Sequence, residues 1–346
     1  MIVWLCFILL FPALFGLDFD IAYLWRLARG QVSLLWRAEP IDRVLTRQNL
    51  DPKVRQQLEL VKKIRAFAQK KIGLEVSNHY ITFVDIGKGP VSWNLVVCPK
   101  DQLKPLHWSY PIVGPVPYRG FFDRKDAEEA REYYESEGYD TFLRPVSAYS
   151  TLGWFSDPIL STMLTYSEAD LADLIIHELT HATVWIESDV TFNESLASFV
   201  GETGAMMWLQ NRYGKGSEVI AQMLNEREDH GVFHIFLSQV ATQLDSLYHT
   251  DQSNDVKIVE REHIFASAKM QFEHLPLKTN LYQNFPQWKL NNARMALYRV
   301  YQARTDIFAR VYENMGENLK AFIEVIQKSE DQSNPVQWLE NGLHKR

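Results

Sequence analysis

The chain has 346 residues, of which 46% are apolar and 23% charged, and its formal net charge is -7. This is ordinary globular composition, so a disordered, collagenous or coiled-coil chain is excluded, and the acidic balance with no basic stripe excludes nucleic acid as the expected partner. Two cysteines, Cys6 and Cys98, cannot build a disulfide framework, so the fold rests on its core.

Residues 1–17, MIVWLCFILLFPALFGL, carry no charged side chain. The run is short for a membrane span and has Pro12 inside it, yet it also lacks the basic start and the small-x-small site of a signal peptide. The expectation is a signal or membrane-anchor segment, followed by a body over 18–346. Leu17 stands where the lipidated Cys of a lipoprotein box would be, and Arg26, Arg29 and Arg37 follow. The arginines argue against export of the downstream body and a core helix is the alternative, but the uncharged run makes the expectation a cell-envelope protein, exported or held at the membrane through this segment, with its sidedness open.

Helical spacing over 46–72 predicts a helix burying Leu58, Leu60, Val61, Ile64 and Phe67. Residues 80–86 and 91–98 read as strands joined by a Gly-Lys-Gly-Pro turn, 124–137 as a helix stopped by Gly138, and 140–147 as a further strand. From Ser167 the pattern turns helical: 167–187, 192–212, 232–249, 256–274, 290–314 and 316–328. The expected class is α+β, mixed over about 46–165 with a small sheet and helical over about 166–330.

The segment that carries chemistry is 167–205. Ser167, with Asp170 three residues on, predicts a helix N-cap, and Leu171, Leu174, Ile175 and Leu179 give that helix a buried stripe. His177-Glu178-Leu179-Thr180-His181 therefore lies on a helix. Residues four apart there project from one face with Cβ atoms ~5–6 Å apart, a separation that suits two imidazoles on one Zn2+. Glu178 points to the edge of such a site, where it can reach water. The motif alone arises by chance in about 2% of chains this long, so a third ligand must be sought. Glu194, in FNESLASFV, supplies it from a second helix running back against the first, with Ala197 small where the two must approach closely. A catalytic zinc has three protein ligands and one open position, which His177, His181 and Glu194 satisfy.

HELTH followed by FNESLASFVGE resembles the gluzincin metallopeptidases, in which H-E-x-x-H precedes a helix bearing an N-E-x-x-A/S segment. Twelve residues (182–193) separate the second His from the Glu. That short spacer, with YRGFFD (118–123), GYD (138–140), AYSTLGWF (148–155), DP (157–158) and NNAR (291–294), resembles the zinc aminopeptidases of bacterial envelopes over roughly residues 20 to 330. The resemblance implies a zincin-like fold and one catalytic Zn2+ held by His177, His181 and Glu194. It also implies Glu178 as general base and then acid, and a peptide as substrate.

Tyr298, Tyr301 and Tyr149 are candidates for the oxyanion donor, each with a packed aromatic as its alternative. Glu202 could hold a substrate amine or support a ligand, Arg294 could pair with a substrate carboxylate or a structural acid, and Asn292 is undecided. His230 and His234 are a second i, i+4 pair, read as a partly exposed helix start. Three functions compete. The first is a zinc metallopeptidase acting as an aminopeptidase. The second is a non-catalytic, zinc-stabilised envelope protein that binds a peptide or partner. The third is a zinc hydrolase of non-peptide amides. Oligomeric state is open.

Overall fold

The computed structural model describes residues 21–110, 114–146, 156–187, 189–300 and 305–343. The apolar segment 1–17, Cys6, Tyr149, Trp154 and Tyr301 lie outside the described residues. Among those described, no helix is long and apolar enough to cross a membrane.

The order of elements is α+β. Helix α1 (Ile21–Trp36), strand β1 (Glu39–Pro40) and helix α2 (Ile41–Leu45) lead into α3 (Pro52–Phe67). Asp51 caps α3, its carboxylate accepting from the Lys53 and Val54 amides, and Pro52 occupies the first turn. The chain continues through β2 (Thr82–Val84), β3 (Ser92–Cys98), β4 (Trp108–Tyr110), β5 (Gly114–Val116) and β6 (Arg119–Phe121). Helix α4 (Arg124–Ser136), β7 (Asp140–Val146) and β8 (Ile159–Leu160) close the mixed half. The helical half comprises α5 (Glu168–Thr183), α6 (Val190–Tyr213), α7 (Glu218–Tyr248), α8 (Asn254–Phe272), α9 (Asn292–Val300), α10 (Thr305–Asn314), α11 (Leu319–Gln327) and α12 (Pro335–Leu343).

The two strands read on either side of Gly87-Lys88-Gly89-Pro90 form, but they join different sheets. Strand β2 lies between β1, antiparallel, and β8, parallel, whereas β3 lies between β6 and β7, both antiparallel. The reason is burial on both faces of β3. Leu95 and Val97 turn to Tyr23 and Ala127, while Val96 and Cys98 turn to Ala293 and Ala296. A strand covered on both sides by helices needs long-range neighbours, which an exposed hairpin could not supply.

The expected stripe of α3 is buried in full and joins Leu171, Ile175 and Leu179 of α5 and Phe192, Leu196 and Val200 of α6 in the largest core. A second core, rich in aromatic rings, gathers Phe233, Phe236, Phe265, Phe272 and Phe285. Two helices differ from expectation. The predicted 290–314 helix is two, α9 and α10. The predicted 232–249 helix starts at Glu218 and runs 31 residues. Its first half looks polar because Asp229 is buried as an anchor, accepting from the Lys278 and Thr279 amides, so periodicity there does not show the packed face. The Asn314–Asn318 stretch is a helix connection, with Gly316 and Glu317 both left-handed and Asn318 capping α11.

Candidate metal centre

The site is built by α5 and α6, which pack antiparallel. Ser167 caps α5, its hydroxyl accepting from the Asp170 amide and donating to the Asp170 carboxylate. The turn between the helices is fixed by the buried Asn193, whose side-chain oxygen accepts from the Ile186 amide and whose nitrogen donates to the Ile186 carbonyl. Asp189 caps α6 by accepting from the Phe192 amide. At the far end of the pair, Glu168 accepts from the Trp208 indole and the Tyr213 hydroxyl and pairs with Arg212 at 3.0 Å. Both ends of the hairpin are therefore tied, which fixes the register of everything between them.

Small residues let the two helices touch. Ala197 is fully buried, as its size predicts. Gly201 and Gly204 extend the contact at spacings of four and three. A Cβ on Gly201 would lie 2.3 Å from Asp173 Oδ1 and 3.1 Å from His177 Cβ, and one on Gly204 would lie 2.9 Å from Ile176 and Ile72. The sequence reading drew only Ala197 from this pattern. The spacing of small residues along α6 was the signal for the other two.

This approach brings Glu194 to the two histidines. The carboxylate lies 3.7 Å from His177 Nε2 and 3.5 Å from His181 Nε2, and ligand atoms of all three residues fall within 4.8 Å of one another. A tetrahedral ion bound at ~2.0–2.1 Å holds its ligands ~3.3–3.4 Å apart, so the donor set fits a divalent cation with little movement. Two imidazoles and one carboxylate could hold such an ion.

The electrostatics agree with that fit. Burial alone would depress the His177 imidazole. The contact with Glu194 and the charges of Glu178, Glu194 and Asp173 outweigh it and hold the group above its ordinary value. Burial, then the neighbouring His177, pushes His181 down to about 4, so it is neutral and ready to ligate. Burial would raise Glu194, but contact with His177 and the charge of both imidazoles holds it below the usual carboxylate range. A neutral His181 and an ionised Glu194 are the states a metal requires.

Glu178 follows His177, and its charge is felt both by His177 and by Tyr80. Tyr80 was not singled out as a site residue. It sits in a left-handed conformation with φ +56°, its amide donates to the Asp157 carbonyl, and its side chain is 1% exposed. Its hydroxyl has no hydrogen-bond partner among the described residues. Burial, with the charges of Glu178 and Asp157, pushes the phenol well above its ordinary range. Only the tertiary fold brings it behind Glu178, so spacing along the chain could not have found it.

A cleft of about 890 Å3 is lined by Asp173 of α5 and Glu202 of α6, one and two helical turns from His177 and Glu194, and by Arg227 and His234 of α7 and Tyr298. Asp173 lies one turn before His177 on α5. Burial, reinforced by Glu202 and Asp170 and opposed by His177, raises its carboxyl to about 7. It, too, escaped the sequence reading, although it continues the i, i+4 spacing of the histidines toward the N-terminus. Glu202 pairs with Arg227 at 3.7 Å.

The other singled-out residues have structural partners. Asn292 donates to the Pro99 and Gln102 carbonyls and accepts from the Tyr248 hydroxyl. The Arg294 guanidinium lies over the Phe142 and Trp288 rings, at 4.5 and 4.2 Å, rather than against a structural acid. Tyr298 stacks on Trp288. His230 and His234 lie in the middle of α7, not at a helix start, and the His230 ring is hydrogen-bonded to the Tyr282 hydroxyl.

Searches of curated proteins and of solved structures find no match. A family model described as "Putative aminopeptidase" matches residues 22–337. The match takes in β3, the two ligand-bearing helices and the cleft, and on it the chain belongs to this aminopeptidase family.

Proposed function

We propose that the protein is a zinc-dependent metallopeptidase of the gluzincin type, acting as an aminopeptidase. The observation that carries this reading is the convergence of His177, His181 and Glu194, with Glu178 next to His177 on the same helix. A zinc ion held by those three residues supplies Lewis acidity toward the scissile carbonyl and makes water easier to deprotonate. Glu178 takes the proton of the attacking water and delivers it to the nitrogen of the leaving amine as the C–N bond breaks. The cleft receives an extended peptide. A purely structural zinc site has no use for Glu178, and this favours hydrolysis over the alternative of a zinc-stabilised binding protein.

The decisive variant is Glu178→Gln. With zinc still bound at one per chain, aminoacyl-amide hydrolysis should fall by about 10²–10⁴-fold, the usual worth of a general base. Full activity in a zinc-replete E178Q preparation would refute the role. An inactive wild type with one bound zinc would shift the assignment to the binding protein.

We also place the protein at the cell envelope. The uncharged residues 1–17 lead directly into α1, whose exposed side includes Trp25, Arg29, Val32 and Trp36 at helical spacing. Fractionation of the full chain beside one lacking 1–17 tests this, and a full chain that stays out of the membrane fraction would overturn it.

A further inference from the structure

Helix α1 has two unlike faces. Its inner face is packed: Tyr23 and Leu34 are buried, the Tyr23 hydroxyl donates to the Gly120 carbonyl at 2.8 Å, and the Tyr23 and Phe121 rings meet edge to face. Gly30 lies so close to Phe122 that a Cβ there would fall 2.3 Å from the ring. The helix is therefore held firmly beside β6, which fixes the direction of its outer face. Helical geometry puts Trp25, Arg29, Val32 and Trp36 within about 60° of arc on that face, opposite Tyr23, Gly30 and Leu34.

The outer stripe is apolar where a surface should be polar. Trp25 is 53%, Val32 50% and Trp36 92% exposed, and Trp36 is the most exposed large apolar side chain among the described residues. A tryptophan left in water forgoes the burial of a large ring. The helix also carries Arg26, Arg29 and, just past its end, Arg37, with no acid from Ile21 to Arg37, in a chain whose net charge is -7. Arg26 pairs with Asp126 and Arg37 donates to the Asp85 carbonyl, while Arg29 sits within the stripe with no acidic partner among the described residues. Indoles flanking a guanidinium on one helix face suit the boundary between lipid headgroups and acyl chains, where the rings leave water and the cation meets phosphate.

The chain itself brings one occupant near. Residues 1–17 carry no charge, and only Asp18, Phe19 and Asp20 separate them from α1. Four peptide links span at most ~15 Å, so a bilayer that holds the apolar run lies within reach of the stripe. Docking of α1 is then an intramolecular step at high effective concentration, an advantage that a free protein partner lacks.

We propose that the outer face of α1 is a lipid-binding surface that lies along the headgroup boundary of an anionic phospholipid bilayer, with Trp25, Val32 and Trp36 entering it and Arg29 on the lipid phosphates. It rests on the envelope reading above and deepens it: residues 1–17 tether the chain, whereas α1, fixed beside β6, sets how the body is turned against the membrane.

The test uses the full chain in bilayer nanodiscs of phosphatidylcholine and phosphatidylglycerol in equal amounts. A nitroxide is attached at S33C, an exposed position beside the stripe, and in a second preparation at M270C on α8, where Met270 is 64% exposed. C6S leaves Cys98, which is buried, as the remaining native thiol. Power-saturation EPR compares collisions with dissolved oxygen, which concentrates in the bilayer, and with a water-soluble nickel chelate. The S33C label should be several-fold more shielded from the chelate than the M270C label. R29E replaces an attraction worth about five-fold per cation by a repulsion and should return the label toward water, as should high salt. W25S combined with W36S should do the same, and both positions are exposed, so the fold is kept. An S33C label as open to the chelate as M270C, in a chain that stays with the disc on gel filtration, overturns the proposal and leaves the envelope reading standing. A chain that does not stay with the disc fails the envelope reading, and the proposal with it. Shielding untouched by both R29E and the double variant would also overturn the proposal. So would S33C labels that broaden one another's spectra until diluted with unlabelled chain, which would give the face to a second copy.

Discussion

The molecule holds two pairs of histidines four residues apart on a helix, and their fates differ. His177 and His181 face a carboxylate from a neighbouring helix, with both Nε2 atoms within 4 Å of Glu194. His230 instead meets the Tyr282 hydroxyl, with Tyr282 stacked on Phe233, while His234 lines the cleft. Spacing puts two imidazoles on one helix face in both places. Only the first place has a second helix close enough to deliver a third ligand. What distinguishes a metal site from a pair of histidines is thus the contact that α6 makes, through Ala197, Gly201 and Gly204, with α5.

The harshest test of that contrast removes the third ligand. Glu194→Ala should lower zinc affinity by more than the ~10–100-fold typical of losing an outer partner, because it takes away one of three direct donors. Activity should vanish with the metal. His230→Ala and His234→Ala should leave zinc content at one per chain. Equilibrium dialysis with elemental analysis reads all three, and a zinc loss in the second pair would collapse the distinction.

The second test presses the helices apart without touching a ligand. Gly201→Ala puts a methyl 2.3 Å from Asp173 Oδ1 and 3.1 Å from the Asp173 carbonyl and His177 Cβ. Backbone and a packed carboxylate cannot both yield, so a cost of about 1–3 kcal/mol is expected in urea unfolding, with zinc binding weakened alongside. Gly231→Ala, where an added Cβ meets nothing within 4 Å, is the matched control in α7. Its expected effect is neutral to slightly stabilising, since alanine is the better helix former. Equal effects at the two glycines would show that helix propensity, not close approach, governs both.

This contrast also explains what could be read in advance. The α+β layout, the cap at Ser167, the stripe of α5 and the closeness of His177, His181 and Glu194 follow from local rules, because each depends on spacing within one element or on two elements joined by a short turn. Asn193, the residue that locks that turn, stood inside the motif. The strand pairing was hidden because β3 and β2 take partners far along the chain, and no local signal chooses among them. Tyr80 and Asp173 were hidden for a related reason. An orphaned hydroxyl or carboxylate oxygen is a property of surroundings, and the surroundings of Tyr80 include Asp157 and Glu178, about 80 to 100 positions away.

A third test uses protons. His177 is held above its ordinary 6.5, while His181 is neutral above about 4 and Glu194 is ionised. Below the raised His177 value, therefore, the proton a metal must displace sits on His177. A raised pKa means this competition persists as pH rises and ends only when pH passes the folded value. Zinc affinity should climb by up to about tenfold per pH unit below that value and flatten above it, with one proton released per zinc on the rising limb. Calorimetry in buffers of different ionisation enthalpy counts the proton. Affinity that does not change between pH 5 and 8 would contradict the assigned states.

The smallest effect expected is also the one with the most informative sign. Each histidine pair has a phenol near it, and the two phenols differ in one respect: the Tyr282 hydroxyl has a partner in His230, whereas the Tyr80 hydroxyl is buried with none among the described residues. Removing a hydroxyl that makes a hydrogen bond costs about 1 kcal/mol, whereas removing one that is buried and unsatisfied is neutral or stabilising by a similar amount. Tyr282→Phe should therefore lower the urea midpoint, and Tyr80→Phe should hold or raise it, with the ring and the left-handed backbone at position 80 unchanged. Activity then decides why a folded chain keeps such a group. If Tyr80→Phe is as stable as wild type but hydrolyses aminoacyl amides about ten-fold or more slowly, the hydroxyl serves Glu178 during turnover, since stability alone would have discarded it. If both stability and turnover are unchanged, Tyr80 is a core side chain whose hydroxyl the fold merely tolerates.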